Sequence, residues 1–379
     1  MKILLLTTHL DFGGISIYCV SLAKALKEMG HEVAVSSSGG VLTSELKAAG
    51  IGHIQLNIRT KSELSPLVWK AYKKLEVIFK TQRPDIIHVH TRVTQAVACM
   101  IYKKTGIQYL STCHGFFRPH LGRKMFGFCG KKVIAISEAV REHLVNDLKA
   151  KKETIALIHN GIDVKKFQAV VSEKQKSAYR SRLGIKNGPV VGIIARLSPV
   201  KGHRFLLGAM KEVLKKYPHA QLLIIGDGPQ KRNLIELTIG LGLGKCTFIE
   251  ESTMDTRLAL SVMDIFVLPS IQEGLGLSAM EAMVAGVPVI GSNVGGVYSL
   301  IKDDQTGILV PPQDPLALAA AIIRLLDDKG LGLNMANAAR ELIKEKFSLE
   351  DMAKKVERLY KEAIEENAKD KNKKTKKEQ

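Results

Sequence analysis

A chain of 379 residues with 45% hydrophobic and 25% charged side chains has the balance of a folded globular protein and is long enough for two full cores. That balance excludes a wholly disordered chain, a collagen and a coiled-coil rod. Lys and Arg number 56 against 37 acids, a net charge of +19. The excess is uneven: residues 1–168 hold 25 basic and 12 acidic side chains, residues 187–348 hold 16 of each, and the last eleven hold six Lys against two acids. The opening Met1–Thr8 has too short an apolar run for a signal peptide, and no stretch approaches the ~20 apolar residues of a membrane span. Five cysteines (Cys19, Cys99, Cys113, Cys129, Cys246) lack CxxC spacing and read as reduced cytosolic thiols.

Short apolar runs alternate with longer amphipathic segments, the pattern of parallel sheets covered by helices. Strands are predicted at Lys2–Thr8, His31–Ser36, His53–Asn57, Asp85–Val89, Gln108–Thr112, Lys132–Ile136 and Thr154–Ile158. A helix over Ser16–Met29 follows the first. The pattern restarts with Pro189–Ala195, Gln221–Ile225, Cys246–Ile249, Ile265–Leu268, Val287–Gly291 and Ile308–Val310. Two doubly wound α/β domains are therefore expected, over 1–168 and 187–348. The polar stretch 169–186 would connect them, although Tyr179–Leu183 has helical character. Leu349, Met352, Val356, Leu359 and Ala363 recur at helical spacing and mark a last helix over 349–366. Residues 367–379, rich in Lys, read as a disordered tail.

Candidate chemistry lies at the carboxyl ends of these strands, where open α/β sheets bind ligands. Gly13-Gly14 opens the first helix; a Gly pair lets a phosphate approach the backbone, although the same pair also suits a plain turn. Arg196 and Lys201 flank the loop after Pro189–Ala195, and two fixed cations there can balance a diphosphate or form a solvated surface pair. Ser270–Val287 is the most informative stretch. Glu273 ends a strand-to-helix loop, Gly274-Leu275-Gly276-Leu277 leads into a helix whose free N–H groups can hold phosphate oxygens, and Glu281 is placed in its first turn. Both carboxylates suit sugar hydroxyls, while Ser278-x-x-Glu281 also fits a capping box. His114 follows another strand, as does the turn Gly226-Asp227-Gly228-Pro229. Asn160-Gly161-Ile162-Asp163 reads as a turn with glycine at positive φ. No P-loop, GxSxG elbow or HExxH is present. The sequence also lacks an Asp-x-Asp pair to hold a divalent metal, which leaves a leaving group's charge to Arg196, Lys201 and helix N-termini.

In order and spacing, Gly13-Gly14, His114, Asn160–Asp163, Arg196 with Lys201, Gly226–Pro229, Glu273-x7-Glu281 and Gly295-Gly296 to Gly307–Val310 resemble the retaining GT-B glycosyltransferases of family 4. The likeness covers roughly residues 1–366. It implies two Rossmann-like domains facing a cleft, with the last helix crossing back to the first. A nucleotide-sugar donor is implied on the C-terminal domain and an acceptor on the N-terminal one, without a cofactor. Arg196 and Lys201 would neutralise the diphosphate, Glu273 contact the donor sugar, Glu281 bind the ribose, Gly14 approach the phosphate and His114 position the sugar.

Two rival readings are a nucleotide-sugar epimerase and a non-catalytic basic binding protein. The first lacks identifiable acid and base carboxylates around a sugar. The second lacks any nucleic-acid motif beside its lysines, and no nucleic-acid partner is expected. The positive charge of the N-terminal half points instead to an anionic membrane surface. After His114, the basic residues Arg118, Arg123, Lys124, Lys131 and Lys132 interleave with Phe126 and its apolar neighbours. This pattern suits a peripheral enzyme on the inner membrane face acting on a lipid-linked or anionic saccharide; inward packing of the aromatics is the alternative.

Overall fold

Apolar runs and amphipathic segments alternate through the first unit in the order expected. Its elements are β1 (Lys2–Leu6), α1 (Gly14–Glu28), β2 (Glu32–Ser37), α2 (Thr43–Ala48), β3 (Gly52–Gln55), α3 (Pro66–Ile78), β4 (Ile86–Val89), α4 (Arg92–Thr105), β5 (Gln108–Cys113), β6 (Val133–Ala135), α5 (Glu138–Asn146) and β7 (Ile155–Leu157). The computed structural model describes residues 1–117, 130, 132–253 and 255–375, with side chains through Ala368. Among these residues the seven strands form one parallel sheet in the order β3-β2-β1-β4-β5-β6-β7. Leu4, Leu6, Ile87 and Val89 pack with Val68 and Leu75 of α3 and Val97 and Ile101 of α4 in a core. His88 lies between Ile87 and Val89, so strand alternation turns it to the opposite face. Local chemistry sets the helix starts. The Ser65 hydroxyl accepts from Leu67 N–H ahead of Pro66, and Thr91 and Thr94 form a reciprocal cap on α4.

The second unit runs from Ile162 to Ser348. It comprises α6 (Val164–Gln168), α7 (Glu173–Leu183), β8 (Val190–Ile194), α8 (His203–Lys216), β9 (Gln221–Ile225), α9 (Lys231–Gly240), β10 (Thr247–Glu250), α10 (Arg257–Leu260), β11 (Ile265–Leu268), α11 (Leu277–Ala285), β12 (Val289–Ser292), α12 (Val297–Leu300), β13 (Ile308–Val310), α13 (Pro315–Asp327) and α14 (Lys329–Lys346). Its parallel sheet has the order β10-β9-β8-β11-β12-β13. Strand β9, apolar after Gln221, is buried throughout, as a central strand covered on both faces must be. The stretch 169–186, expected as a connection, contains α7: Ser172 and Gln175 cap its start reciprocally and Gly184, in the left-handed region, ends it. Caps at both ends define this helix although none of its residues is buried.

The last helix, α15 (Leu349–Thr375), belongs to the first unit. Met352, Ala353, Val356, Leu359, Tyr360 and Ala363 are buried along one stripe. Each large apolar side chain so buried contributes about 1.5–3 kcal/mol. Gly161 N–H donates to Met352 Sδ at 3.0 Å, and His31 meets Glu357 at 3.1 Å. The helix continues to Thr375, past 366 and into the stretch read as a disordered tail. Lys, which recurs over 367–375, is a strong helix former, so the backbone carries on without an apolar face. Gly161 is not at positive φ either. Ile162 pairs with Ser348 in a parallel bridge, which draws this stretch into an extended path instead of a turn.

Candidate active site

Both sheets reverse their strand order once, between β1 and β4 in the first unit and between β8 and β11 in the second. A crevice opens beyond the carboxyl ends of strands at such a reversal. In the second unit the loop after β8 carries Arg196 and Lys201, and the loop after β11 carries Glu273 to Gly276. These loops are fastened to one another. Ile271 N–H donates to Val200 C=O at 2.8 Å, and Gly296 N–H donates to Glu273 C=O at 2.9 Å. Gly202 has φ +68, and a Cβ there would lie 1.8 Å from the Pro269 carbonyl; at Gly296 it would lie 2.0 Å from that of Gly274. Only glycine permits either approach.

Lys201 Nζ donates to Glu273 Oε2 at 2.5 Å, and Ser270 Oγ donates to the same oxygen at 3.3 Å. The pair is largely buried, so the ammonium is held at a fixed place. The Arg196 guanidinium is exposed. Arg196 also lies where Gly226–Pro229 comes close, since Leu197 N–H donates to Asp227 C=O at 2.9 Å. The structure thus gathers Arg196, Lys201, Glu273, Gly274–Leu277 and Gly295-Gly296 at one sheet edge.

Gly276 is the N-cap of α11, at φ 100, and no side chain caps this helix. Its first N–H groups are therefore open to an anion. The cap position also overturns the capping-box alternative, since Ser278 lies inside the helix. Glu281 stands in the second turn, one turn later than expected. It is buried and accepts from the Thr256 hydroxyl at 2.8 Å. Burial raises its carboxyl to a pKa of about 7, against the opposing pulls of Thr256 and Lys166. Thr256 and His203 were not singled out by the sequence. His203 opens α8 directly after Lys201-Gly202, is buried, and among the described residues has no hydrogen-bond partner on either ring nitrogen. Burial lowers its pKa to about 4, and Lys201 adds to the shift.

In the first unit Gly13 caps α1 with open space around it and without a side-chain cap. One turn on, Tyr18 meets the His114 ring edge-on at 4.8 Å. The helix begun by Gly14 and the histidine after β5 therefore meet, as two candidates inferred separately. His114 is partly exposed, and burial lowers its pKa to about 3. His88 and His90 went unremarked, yet both are buried beside it. Of the basic residues beyond His114, Arg118, Arg123, Lys124 and Lys131, together with Phe126, lie outside the described residues. Lys132 is described and pairs with Glu366 of α15 at 3.4 Å.

Two Rossmann-like units with open helix starts beyond their central strands, the second with Arg196 and a Lys201 held by Glu273 beside it, define a GT-B glycosyltransferase. Comparison with known proteins agrees. The model described as glycosyl transferases group 1 matches residues 175–342, and that of glycosyltransferase family 4 matches residues 12–166. An uncharacterised glycosyltransferase of Methanocaldococcus jannaschii is 29% identical over 93% of this chain and 95% of its own. An Escherichia coli UDP-Gal:alpha-D-GlcNAc-diphosphoundecaprenol alpha-1,3-galactosyltransferase is 27% identical over 77% and 79%. A glycosyltransferase crystal structure from Rickettsia africae superposes with a TM-score of 0.83 at 26% identity, covering 96% and 98%. The chain is a glycosyltransferase of the group 1 family and resembles glycosyltransferase family 4.

Proposed function

We propose that this enzyme transfers a hexosyl group from a nucleotide-diphosphate sugar to a hydroxyl acceptor, with retention at the anomeric carbon and without a divalent metal. The observation that carries the reading is the uncapped start of α11 beside Lys201 and Arg196. Cleaving the anomeric C–O bond leaves negative charge on the diphosphate and positive charge on the sugar. Fixed cations and N–H groups aimed at the diphosphate lower that barrier, each worth on the order of 3 kcal/mol. The acceptor oxygen bonds the anomeric carbon on the face the diphosphate leaves, and the departing phosphate oxygen takes the acceptor's proton. Glu273 then contacts the donor sugar, Glu281 the ribose, Gly14 a phosphate, and His114 positions a sugar hydroxyl. Release of UDP, GDP or ADP from a panel of nucleotide sugars, with the anomer of the product read by NMR, tests this reading. Turnover should persist in excess chelator; loss that manganese restores would refute metal independence.

The acceptor is read as lipid-linked or otherwise anionic, and the enzyme as peripheral on the inner membrane face. The name of the Escherichia coli relative specifies a diphosphoundecaprenol acceptor. Among the described residues no helix is long and apolar enough to cross a membrane. Helix α3 turns Val68, Ala71 and Leu75 inward and leaves Trp69, 58% exposed, and Val77 on a surface shared with Lys70, Lys73, Lys74 and nearby Lys80. Basic groups near an anionic bilayer contribute about 1 kcal/mol each, and interfacial rings add to that. Trp69 is the only tryptophan, so its fluorescence reports directly. Anionic vesicles should shift it to the blue and co-sediment the enzyme, less so at high salt; neutral vesicles should do neither. Equal response to both, or to neither, would refute the membrane reading and leave the transferase intact.

A further inference from the structure

We propose that His90 is a positioning residue that holds His114 in one tautomer, with its proton on Nδ1 available to a sugar hydroxyl. The proposal rests on the reading that His114 meets the bound sugar.

His90 follows β4 and His114 follows the neighbouring β5. His90 Nδ1 and His114 Nε2 are 3.2 Å apart, so one nitrogen donates and the other accepts. The remaining nitrogen decides which. His90 Nε2 is buried with no partner among the described residues. A proton there would be an orphaned buried N–H, a rarer state than an unused acceptor. The proton therefore belongs on His90 Nδ1, which donates to His114 Nε2. The single proton of a neutral His114 then falls on Nδ1, and no hydrogen bond from another described residue occupies that atom.

Neutrality follows from the surroundings. The titratable groups around the two rings are Tyr18 and Cys19 on α1, His88 on β4 and Tyr360 on α15. Burial raises both tyrosines and the thiol and lowers all three histidines. His88 holds the arrangement from behind. Its Nδ1 meets Tyr360 Oη at 2.7 Å and its Nε2 meets Thr112 Oγ1 at 2.7 Å, while its ring lies 4.3 Å from that of His90. With both nitrogens engaged, His88 cannot turn, and His90 packs against a fixed plane. A neutral donor suits this reaction because an imidazolium would repel the positive charge developing on the sugar.

Nitrogen-15 spectra of the full-length enzyme labelled at histidine, with variants assigning the resonances, test the tautomer without reference to turnover. Wild-type His114 should be protonated at Nδ1 only. His90→Ala should give a mixture and lower kcat by about 10- to 100-fold at unchanged donor KM. His90→Asn, whose side-chain amide can donate from nearly the same place, should restore the tautomer and bring kcat within about threefold of wild type. A wild-type His114 protonated at Nε2, or equal kcat for His90→Ala and wild type, would overturn the proposal. If His114→Ala keeps wild-type kcat, the contact with sugar fails instead, and the spectra still decide what His90 does.

Discussion

The two units place opposite chemistry at equivalent points of one architecture. Beyond the reversal in the second unit stand a guanidinium, an ammonium held by a carboxylate, and an uncapped helix start. At the reversal in the first stand three histidines, two tyrosines and a threonine, linked by hydrogen bonds and edge-on rings. The first unit nevertheless carries most of the chain's excess positive charge, whereas residues 187–348 carry none in sum. Net charge therefore does not locate a charged site. Charge concentrated at one strand edge suits a diphosphate, and a neutral polar pocket suits the sugar hydroxyls that a charge would disturb.

Removing charge from the second unit should have the largest effect. Arg196→Ala and Glu273→Ala are each expected to lower kcat by roughly 10²- to 10³-fold with little change in melting temperature. Steady-state kinetics beside thermal melts check this, and a tenfold or smaller loss would mean that the charged edge does not serve the leaving group.

Glu281 comes next. Its carboxyl titrates at about 7 in the folded protein against 4.5 ordinarily. The folded state keeps its proton to higher pH, so stability falls as pH rises from about 4.5 to 7 and levels off above. The loss amounts to about 3 kcal/mol at most. Glu281→Gln should lack that slope and melt higher than wild type above pH 7, with a raised donor KM. Parallel melting curves against pH would mean that Glu281 is hydrated.

A smaller contrast sets a buried hydroxyl against a surface one. Tyr360→Phe strips His88 Nδ1 of its partner in the core and should cost about 1–2 kcal/mol. Tyr217→Phe removes a 2.6 Å bond to exposed Asp327 and should cost less than about 0.5 kcal/mol. Denaturant midpoints distinguish the two. Smallest of all, Ser270→Ala removes a 3.3 Å bond to Glu273 while Lys201 stays in place; turnover should change less than about threefold.

Much of the site was legible where local sequence and backbone geometry coincide. Gly13-Gly14, Arg196 to Lys201 and Glu273 to Leu277 each follow an apolar strand, and each lies at a reversal of strand order. The misreadings were local as well. Ser278-x-x-Glu281 resembles a capping box, but a glycine two residues earlier takes the cap. The helix at 173–183 shows no apolar stripe, so only its last residues, Tyr179–Leu183, read as helical, although Ser172, Gln175 and Gly184 mark its ends.

The sequence by itself determined the two doubly wound sheets, the charged loops of the second and the apolar stripe of the last helix, because strand alternation, helical period and glycine placement act over a few residues. Tertiary structure alone decided that Tyr360 reaches His88 across 272 positions, that His90 meets His114, and that Thr256 faces Glu281. A lone histidine or glutamate looks alike in sequence whether hydrated or buried. Its charge state and its partner follow from the solvent that the rest of the fold excludes, and that exclusion is a property of packing.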